Sequence, residues 1–586
     1  MIIIKSAGDA ALLFETSQLV HPGHQGGNEA AWIAAAIRAA DEPGVVDVVP
    51  GASTVLVTFR PGIVQPYGAA GGERANTELV RRLLRRHSEA SAMPASLAED
   101  PVVIETVYDG ADLADVAGLT GLTVADVIAR HEAAEYQVGW LGFSPGFGYL
   151  TGLDPRLAVP RLDSPRQSVP AGSVAIAGGL AGVYPAASPG GWRLIGRTAA
   201  VLWDPDRDPP ALLAAGRRVR FRSVDSLPAT PAVGRPLPRE SAPGEASTRA
   251  GQRLIRVLRP GPLTTIQDLG RAGLAHLGVP ASGAADVASL RLTNELVGND
   301  EDAACLEVTL GRLELLFGFD AVVAVAGAPA PVRLIPAAGD ESDRIGPQSA
   351  PGLTGDGLQT SHRDPRDAAA PEPAHETAFP VPAGTVLRLG APAAGLRSYL
   401  AIGGGIEVPP VLGSRSADLL SGLGPPPLRP GDLLPVGRGR SRPVRGKAQR
   451  PLTAGPAAGT QPPGAPAQTA AAAELRVIRG PRDDWFTKGA MVTLAGETYR
   501  VSAASNRSGL RLAGPPLHRA RRDELPSEGV AAGSLQVSHD GQPILLLADR
   551  PTTGGYPVIG VVVSADLHAA AQLRPGQRVR FRLVAR

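Results

Sequence analysis

The feature that most constrains this chain is a repeat inside it. Ser188-Pro189-Gly190-Gly191-Trp192-Arg193-Leu194-Ile195-Gly196 matches Thr552-Thr553-Gly554-Gly555-Tyr556-Pro557-Val558-Ile559-Gly560. Upstream, Ala171-Gly172-Ser173-Val174 matches Ala532-Gly533-Ser534-Leu535. Downstream, Arg218-Val219-Arg220-Phe221-Arg222 returns as Arg578-Val579-Arg580-Phe581-Arg582. Three matches in one order at similar spacing predict two copies of one β-rich unit, one closing each half. Alternating Arg and apolar residues suit a terminal strand with one wet face, so those arginines read as a solvated strand face.

The length, 586 residues, suggests about four domains at roughly 150 residues each. Residues 1–98 read as a small α/β domain. Val55, Val57 and Phe59 alternate as in a half-buried strand, and Asn28 can cap a helix that puts Ile33 and Ile37 on one face. Leu79, Val80, Leu83 and Leu84 mark a second helix. Residues 99–225 begin with alternating Val102, Ile104 and Thr106 and a helix capped by Thr123, then turn to short strands punctuated by Gly and Pro. Tracts 226–252 and 443–472 read as linkers and 337–378 as a disordered insertion, since all three are rich in small, polar and proline residues without periodicity. They leave 253–442 and 473–586 as two further β-rich domains, with one good helix signal at 285–296.

Charge and cysteine content exclude several classes. Lys+Arg is 58 and Asp+Glu 56, a net charge of +2, which gives no support for a nucleic-acid or membrane-surface protein. Lysine is nearly absent, at Lys5, Lys447 and Lys488 only. The lone Cys305 lies in an apolar stretch, reads as a small buried hydrophobe and precludes an internal disulfide framework. No run approaches the ~18 apolar residues of a membrane helix. Met1-Ile2-Ile3-Ile4-Lys5 reads as a first strand rather than a leader, and a reducing cytoplasm is the expected location. His21 and His24 have no metal-binding neighbours in sequence. There is no Walker phosphate loop, no G-x-G-x-x-G before a helix and no biotin-carrier Met-Lys pair. Gly142-Phe143-Ser144-Pro145-Gly146 matches the hydrolase nucleophile elbow, yet that mechanism needs the N–H of the residue after serine, and Pro145 has none. The motif therefore reads as a tight turn.

Longer motifs carry a resemblance. The first half has Gly142-Phe143-Ser144-Pro145-Gly146-Phe147-Gly148-Tyr149, Pro165-Arg166-Gln167-Ser168-Val169-Pro170 and Gly196-Arg197-Thr198. It resembles the B subunit of bacterial ATP-dependent 5-oxoprolinase, the allophanate hydrolase subunit 1 family. The second half has Gly261-Pro262-Leu263-Thr264-Thr265-Ile266-Gln267-Asp268-Leu269-Gly270-Arg271, Ser282-Gly283-Ala284-Ala285-Asp286, Leu412-Gly413-Ser414-Arg415-Ser416, Ser527-Glu528-Gly529 and Asp549-Arg550-Pro551-Thr552-Thr553. It is similar to the C subunit of that enzyme, the allophanate hydrolase subunit 2 family, so the chain resembles a natural B–C fusion. It departs from the pattern at Ser508, where Arg-Met-Gly is usual, and at Pro551, where glutamine is usual. The resemblance implies a mainly β fold with an α+β N-terminal part and several cyclophilin-like β-barrels in tandem. It also implies ATP with Mg²⁺, the separate A subunit of 5-oxoprolinase as partner and a small amide or lactam substrate. Nucleic acid and membrane are not among the expected partners, and a homo-oligomer is compatible with the sequence. Relatives of the same modules serve as carboxyltransferases of biotin-dependent urea carboxylases or as histidine-kinase regulators, so those two readings stand beside the first.

Activating a lactam by phosphorylation calls for cations and backbone N–H groups around phosphate and a clamp for a substrate carboxylate. Arginine's planar fork suits both tasks. The catalytic candidates are Asp268, Asp286, Arg271, Arg415 and Arg507. The ATP-binding candidates are Arg166, Gly190, Gly191, Arg197, Thr553, Gly554 and Gly555, the glycine pairs serving as N–H nests or merely as turns at positive φ. Arg511 and Asp549 lie in similar turn motifs, and for any one Asp the plainer reading is a turn cap. The repeated turns place the expected site where the two halves meet. A bidentate role for Arg507 there predicts that Arg507→Lys loses rate with little change in melting temperature.

Overall fold

The computed structural model describes residues 3–16, 29–64, a few positions from 76 to 82, 100–162, 166–228, 253–336, 373–438 and 472–584. His21, His24, Asn28, Lys447, nearly all of the two expected linkers and most of the expected 337–378 insertion lie outside the described residues. At that insertion's far end, residues 373–378 are built into the fold: Glu376 N–H donates to Val325 O at 2.9 Å, and Ala378 opens a strand to Val381.

The N-terminal unit is an antiparallel sheet with strand order Ile3–Ser6, Ala11–Glu15, Thr54–Phe59, Val45–Pro50. Helix Glu29–Ala39 buries Ala30, Ile33, Ala34 and Ile37, spaced i, i+3, i+4, i+7, against Leu12, Phe14, Val55 and Val57. The strand expected to be half-buried is buried on both faces. Leu13, Val49 and Leu56 on its far side pack against Ala275 and Ala531 of the second half. Each such leucine contributes about 1.5–3 kcal/mol on burial, so this contact ties the halves together.

The repeat is visible strand for strand. In the first half a seven-stranded sheet runs Arg193–Arg197, Ser173–Ala177, Leu180–Val183, Gly148–Thr151, Tyr136–Leu141, Arg218–Ser223, Val102–Thr106. It is closed by reciprocal Val107–Arg197 backbone bonds of 2.9 Å. In the second half a closed barrel runs Val558–Val562, Ser534–Val537, Pro543–Leu546, Gly509–Ala513, Thr498–Val501, Arg578–Leu583, Ala473–Arg479. The order is the same, and in both the last strand pairs parallel with the first. The repeated Ile-Gly explains the closure. A Cβ at Gly196 would lie 2.6 Å from Val107 O, and one at Gly560 2.6 Å from Val477 Cγ1, so only glycine lets the closing strands approach. Val219 and Phe221 point inward, while Arg220 and Arg222 pair outside with Glu135 and Glu105, as the solvated-face reading expects. Thr123 caps Val124–Ala133 in a reciprocal capping box with Asp126.

Between these barrels, residues 254–336 and 373–436 form two five-stranded sheets around one core that includes Ile255, Leu306, Leu315, Val323, Leu387 and Leu400. Consecutive strands Leu254–Pro260 and Leu263–Gln267 belong to different sheets. Pro260 and Pro262 flank Gly261, whose φ is 72°, so the chain turns there and cannot continue one ladder. Helix Val287–Val297 is capped by Asp286 and ends at Gly298, φ 75°.

Candidate functional site

Each barrel carries the repeated Gly-Gly turn on a small two-stranded ribbon: Arg166–Val169 with Ser188–Gly190, and Glu528–Gly529 with Thr553–Gly554. Residues 161 and 162 bridge the two turns. Leu162 N–H donates to Gly191 O at 2.7 Å, and the Arg161 guanidinium covers Gly555, where a Cβ would be 2.4 Å from Nη1. Beside them Thr553 Oγ1 accepts from Phe143 N–H at 2.7 Å and lies 3.2 Å from Tyr149 OH. Phe143 has φ 64°, a costly conformation for a bulky residue, and it occurs where the Gly142–Gly146 turn meets the second half. Gly146 N–H donates to Leu277 O at 3.1 Å in the same contact. Behind this turn, Trp140 stacks on Tyr149 with centroids 4.6 Å apart, and Phe147 lies edge-on to Tyr184 and Trp192.

The second half brings charge to this seam. Arg482 donates to Glu528 Oε2 at 2.8 Å through Nε and to Glu15 Oε1 at 2.7 Å through Nη1. Burial pushes the Glu528 carboxyl up from its ordinary range, and Arg482 opposes that push. Glu528 is only 1% exposed, yet its Oε1 has no partner among the described residues. Trp140 Nε1, Ser144 Oγ, Arg166 Nη1, Ser188 Oγ and Thr552 Oγ1 are likewise buried and unpartnered. Other such atoms lie elsewhere among the described residues; these six sit on elements that meet at the seam, where a polar ligand or water would complete them. Two guanidinium groups, Arg161 and Arg166, and one protonatable carboxyl could bind an anion there and move a proton.

The structure divides the sequence candidates into three groups. Arg166, Gly190, Gly191, Thr553, Gly554 and Gly555 lie at the seam, where Arg166 pairs with Asp112 at 2.6 Å. None of the four glycines has positive φ, so neither pair serves the turn geometry expected of it. At Gly190 and Gly554 the cause is crowding, since a Cβ would lie 2.3 Å from Tyr184 OH and 2.4 Å from Gln536 Nε2.

A second group is a buried ionic knot between the middle sheets and the last barrel. Arg507, 1% exposed, donates through Nε and Nη2 to both oxygens of Asp549 at 2.9 Å, through Nη2 to Gly283 O at 2.6 Å, and through Nη1 to Glu307. Glu307 also accepts from Tyr399 OH and Ala285 N–H. Burial would raise the Glu307 carboxyl, but Arg507 and Arg397 hold it at about 2. Asp286 caps its helix through Ser289 and accepts from Gln572.

The third group is a loop staple. Asp268 accepts from Gly270 N–H, Arg415 N–H and the hydroxyls of Ser414 and Ser416. Arg271 and Arg415 direct Nε to the carbonyls of Val411 and Val408. Arg271, Arg415 and Arg507 each bond to partners in the second half, and Arg166 to Asp112 in the first. Arg197 pairs with Asp109 at the surface, and the Arg511 side chain is exposed. Sequence reasoning missed Arg161, Arg482 and the orphaned oxygen of Glu528. Only the Ser527-Glu528-Gly529 motif hinted at the last.

A model of the carboxyltransferase domain, subdomains C and D, matches residues 2–213, and one of subdomains A and B matches 277–345 and 353–583. The chain belongs to the carboxyltransferase-domain family, with all four subdomains in one polypeptide. Its second half is 34% identical over 331 residues to the 5-oxoprolinase C subunit of Escherichia coli (strain K12), covering 56% of this chain and 90% of that protein. Its first half is 43% identical over 189 residues to the 5-oxoprolinase B subunit of Escherichia coli O157:H7, covering 31% of this chain and 80% of that protein. The chain is thus a fusion of a B-like and a C-like part. The crystal structure of TTHA0988 is similar over 99% of this chain and 100% of that one, with 32% identity and a TM-score of 0.73.

Proposed function

We propose that this chain is the B–C component of an ATP-dependent 5-oxoprolinase, activating 5-oxo-L-proline for hydrolysis to L-glutamate with a separate A subunit. The observation that carries the reading is the pairing of relatives: parts similar to most of the B and C subunits occur in one chain. The seam geometry fits the chemistry. A five-membered lactam is a resonance-stabilised amide. Transfer of the γ-phosphoryl group of ATP to the amide oxygen releases ADP and makes the ring carbon electrophilic. Water then adds there, the C–N bond breaks as the nitrogen takes a proton, and a second water displaces phosphate from the resulting acyl phosphate to give glutamate. Arg161 and Arg166 suit the substrate carboxylate, because a planar fork binds carboxylate bidentately. Glu528, buried with a free oxygen, suits proton transfer at the ring amide. Carboxyl transfer to an amide is the second reading, favoured by the description of the family model. It needs carboxybiotin from a partner.

The test is ATP turnover by the purified chain against a panel of lactams and amides, with and without the A subunit. The reading expects turnover that depends on 5-oxoproline and glutamate release that depends on the A subunit. Efficient glutamate release by the chain alone would overturn the division of labour. Turnover only with carboxybiotin and urea would favour carboxyl transfer.

A further inference from the structure

A chain with 58 basic residues has three lysines, and both of those described, Lys5 and Lys488, line one cleft. The cleft lies where the first strand of the N-terminal sheet meets the 478–491 segment of the last barrel. It consists of two adjoining hollows of about 490 and 310 Å³ that share Arg479, Asp483 and Asp484. Both hollows are open to solvent, and they lie at a boundary between parts of the chain, where ligand sites are common. Lys5 reaches Asp484 at 3.4 Å and Glu15 at 3.9 Å, Arg521 also reaches Asp484 at 3.3 Å, and Arg479 reaches Asp483 at 3.4 Å. Lys488 is exposed and has no ion-pair partner among the described residues. Phe486 gives the larger hollow an apolar wall.

Three cations facing two carboxylates are what a triphosphate with a divalent ion requires. Lys5, Lys488 and Arg479 answer the phosphate oxygens. Asp483 and Asp484 repel bare phosphate and attract Mg²⁺, which is commonly held by one or two carboxylates together with the phosphates themselves. Lysine suits this task as a compact charge on a long stem, where arginine's fork would fix one geometry. Among the described residues no group of three His, Cys, Asp or Glu forms an all-protein metal cage, so the ion would arrive with the nucleotide.

We propose that this cleft binds the magnesium complex of a nucleoside triphosphate, placing the nucleotide on the boundary of the B-like and C-like parts. The inference rests on the oxoprolinase reading for the identity of the nucleotide as ATP. The test is direct binding to the full chain, by calorimetric titration with Mg²⁺ and a non-hydrolysable ATP analogue. Lys488→Ala removes an exposed, unpaired side chain, so it should fold normally. It should weaken binding about tenfold or more, the loss of one charge-assisted contact. Lys5→Ala should act likewise. Asp484→Asn should weaken binding in Mg²⁺ yet strengthen binding of the metal-free analogue in chelator, a sign change that misfolding would not produce. If both lysine variants bind within about twofold of the parent, the cleft assignment is wrong and the oxoprolinase reading stands. If the parent itself binds no nucleotide, with or without Mg²⁺, both are overturned.

Discussion

Replacing Arg507 should unseat the joint between the middle sheets and the last barrel. The sequence alone expects Arg507→Lys to slow a reaction while leaving stability nearly intact. The structure reverses this. Arg507 is 1% exposed and makes four hydrogen bonds, two to Asp549, one to Glu307 and one to Gly283 O. A lysine ammonium is one nitrogen and cannot span both Asp549 oxygens while reaching Glu307 and Gly283. At least two bonds to charged groups are lost in Arg507→Lys, and all four in Arg507→Met. For the lysine variant, two such bonds at roughly 1.5–3 kcal/mol each cost about 3–6 kcal/mol, close to the range for breaking a buried ion pair. For a cooperative unit of roughly 150–250 residues, at roughly 2–4 °C per kcal/mol, the melting transition should fall by about 6–24 °C. Differential scanning fluorimetry of the two variants checks this. A double-mutant cycle of Arg507→Met with Asp549→Leu should recover part of the loss, because the second change removes the stranded charge. A lysine variant melting within about 2 °C of the parent, at the same roughly 2–4 °C per kcal/mol, would refute the reasoning.

Two acid effects should separate by unit. Glu307 is held at about 2 in the fold against an ordinary 4.5, so its contribution is complete above 4.5 and is lost as pH falls from there toward 2. His131, buried beside Tyr108, is held at about 3 against 6.5, so the first barrel should weaken as pH falls from 6.5 toward 3. Urea midpoints across pH should show that slope flattened in His131→Gln, which keeps an acceptor for Tyr108 and does not titrate. Gly190→Ala drives a Cβ to 2.3 Å from the Tyr184 hydroxyl, and overpacking of this kind costs about 1–3 kcal/mol, readable as a lower urea midpoint. Gly554→Ala meets Gln536, a more flexible neighbour, so it should cost less than Gly190→Ala. Deleting residues 340–370 should leave melting temperature and ATP turnover within about twofold, whereas a deletion reaching 378 should reduce soluble yield by removing the Glu376–Val325 bond and a strand residue.

Local chemistry was legible in the sequence. Thr123 and Asp126 stand at capping-box spacing and form that box. Val219 and Phe221 alternate with arginine and point into the barrel. The repeat announced two barrels of the same strand order, because closing glycines and terminal strands recur wherever the same closure must be made. Contacts between distant segments left no such trace. Leu56 interrupts the alternation of Val55, Val57 and Phe59, yet nothing in its neighbourhood announces Ala531 as what covers it. Arg507, Arg415 and Arg271 look alike as arginines in turns. Which of them is sealed against Glu307 and Asp549 depends on packing between segments about 40 and 200 residues apart. Glu528 was recognisable only as part of a motif. Its paired and unpaired oxygens follow from where Arg482 and Glu15 arrive in space.

The central claim is that the lactam is activated by phosphorylation of its amide oxygen, and an isotope addresses it directly. With 5-oxoproline labelled with ¹⁸O in the ring carbonyl, the complete system of this chain, Mg²⁺–ATP and the A subunit should deliver the label into inorganic phosphate, one labelled phosphate for each glutamate formed. Mass spectrometry of the phosphate and the glutamate reads both fates. Label retained in the glutamate carboxylate, with unlabelled phosphate, would mean that ATP is cleaved without touching the amide oxygen and would contradict the account.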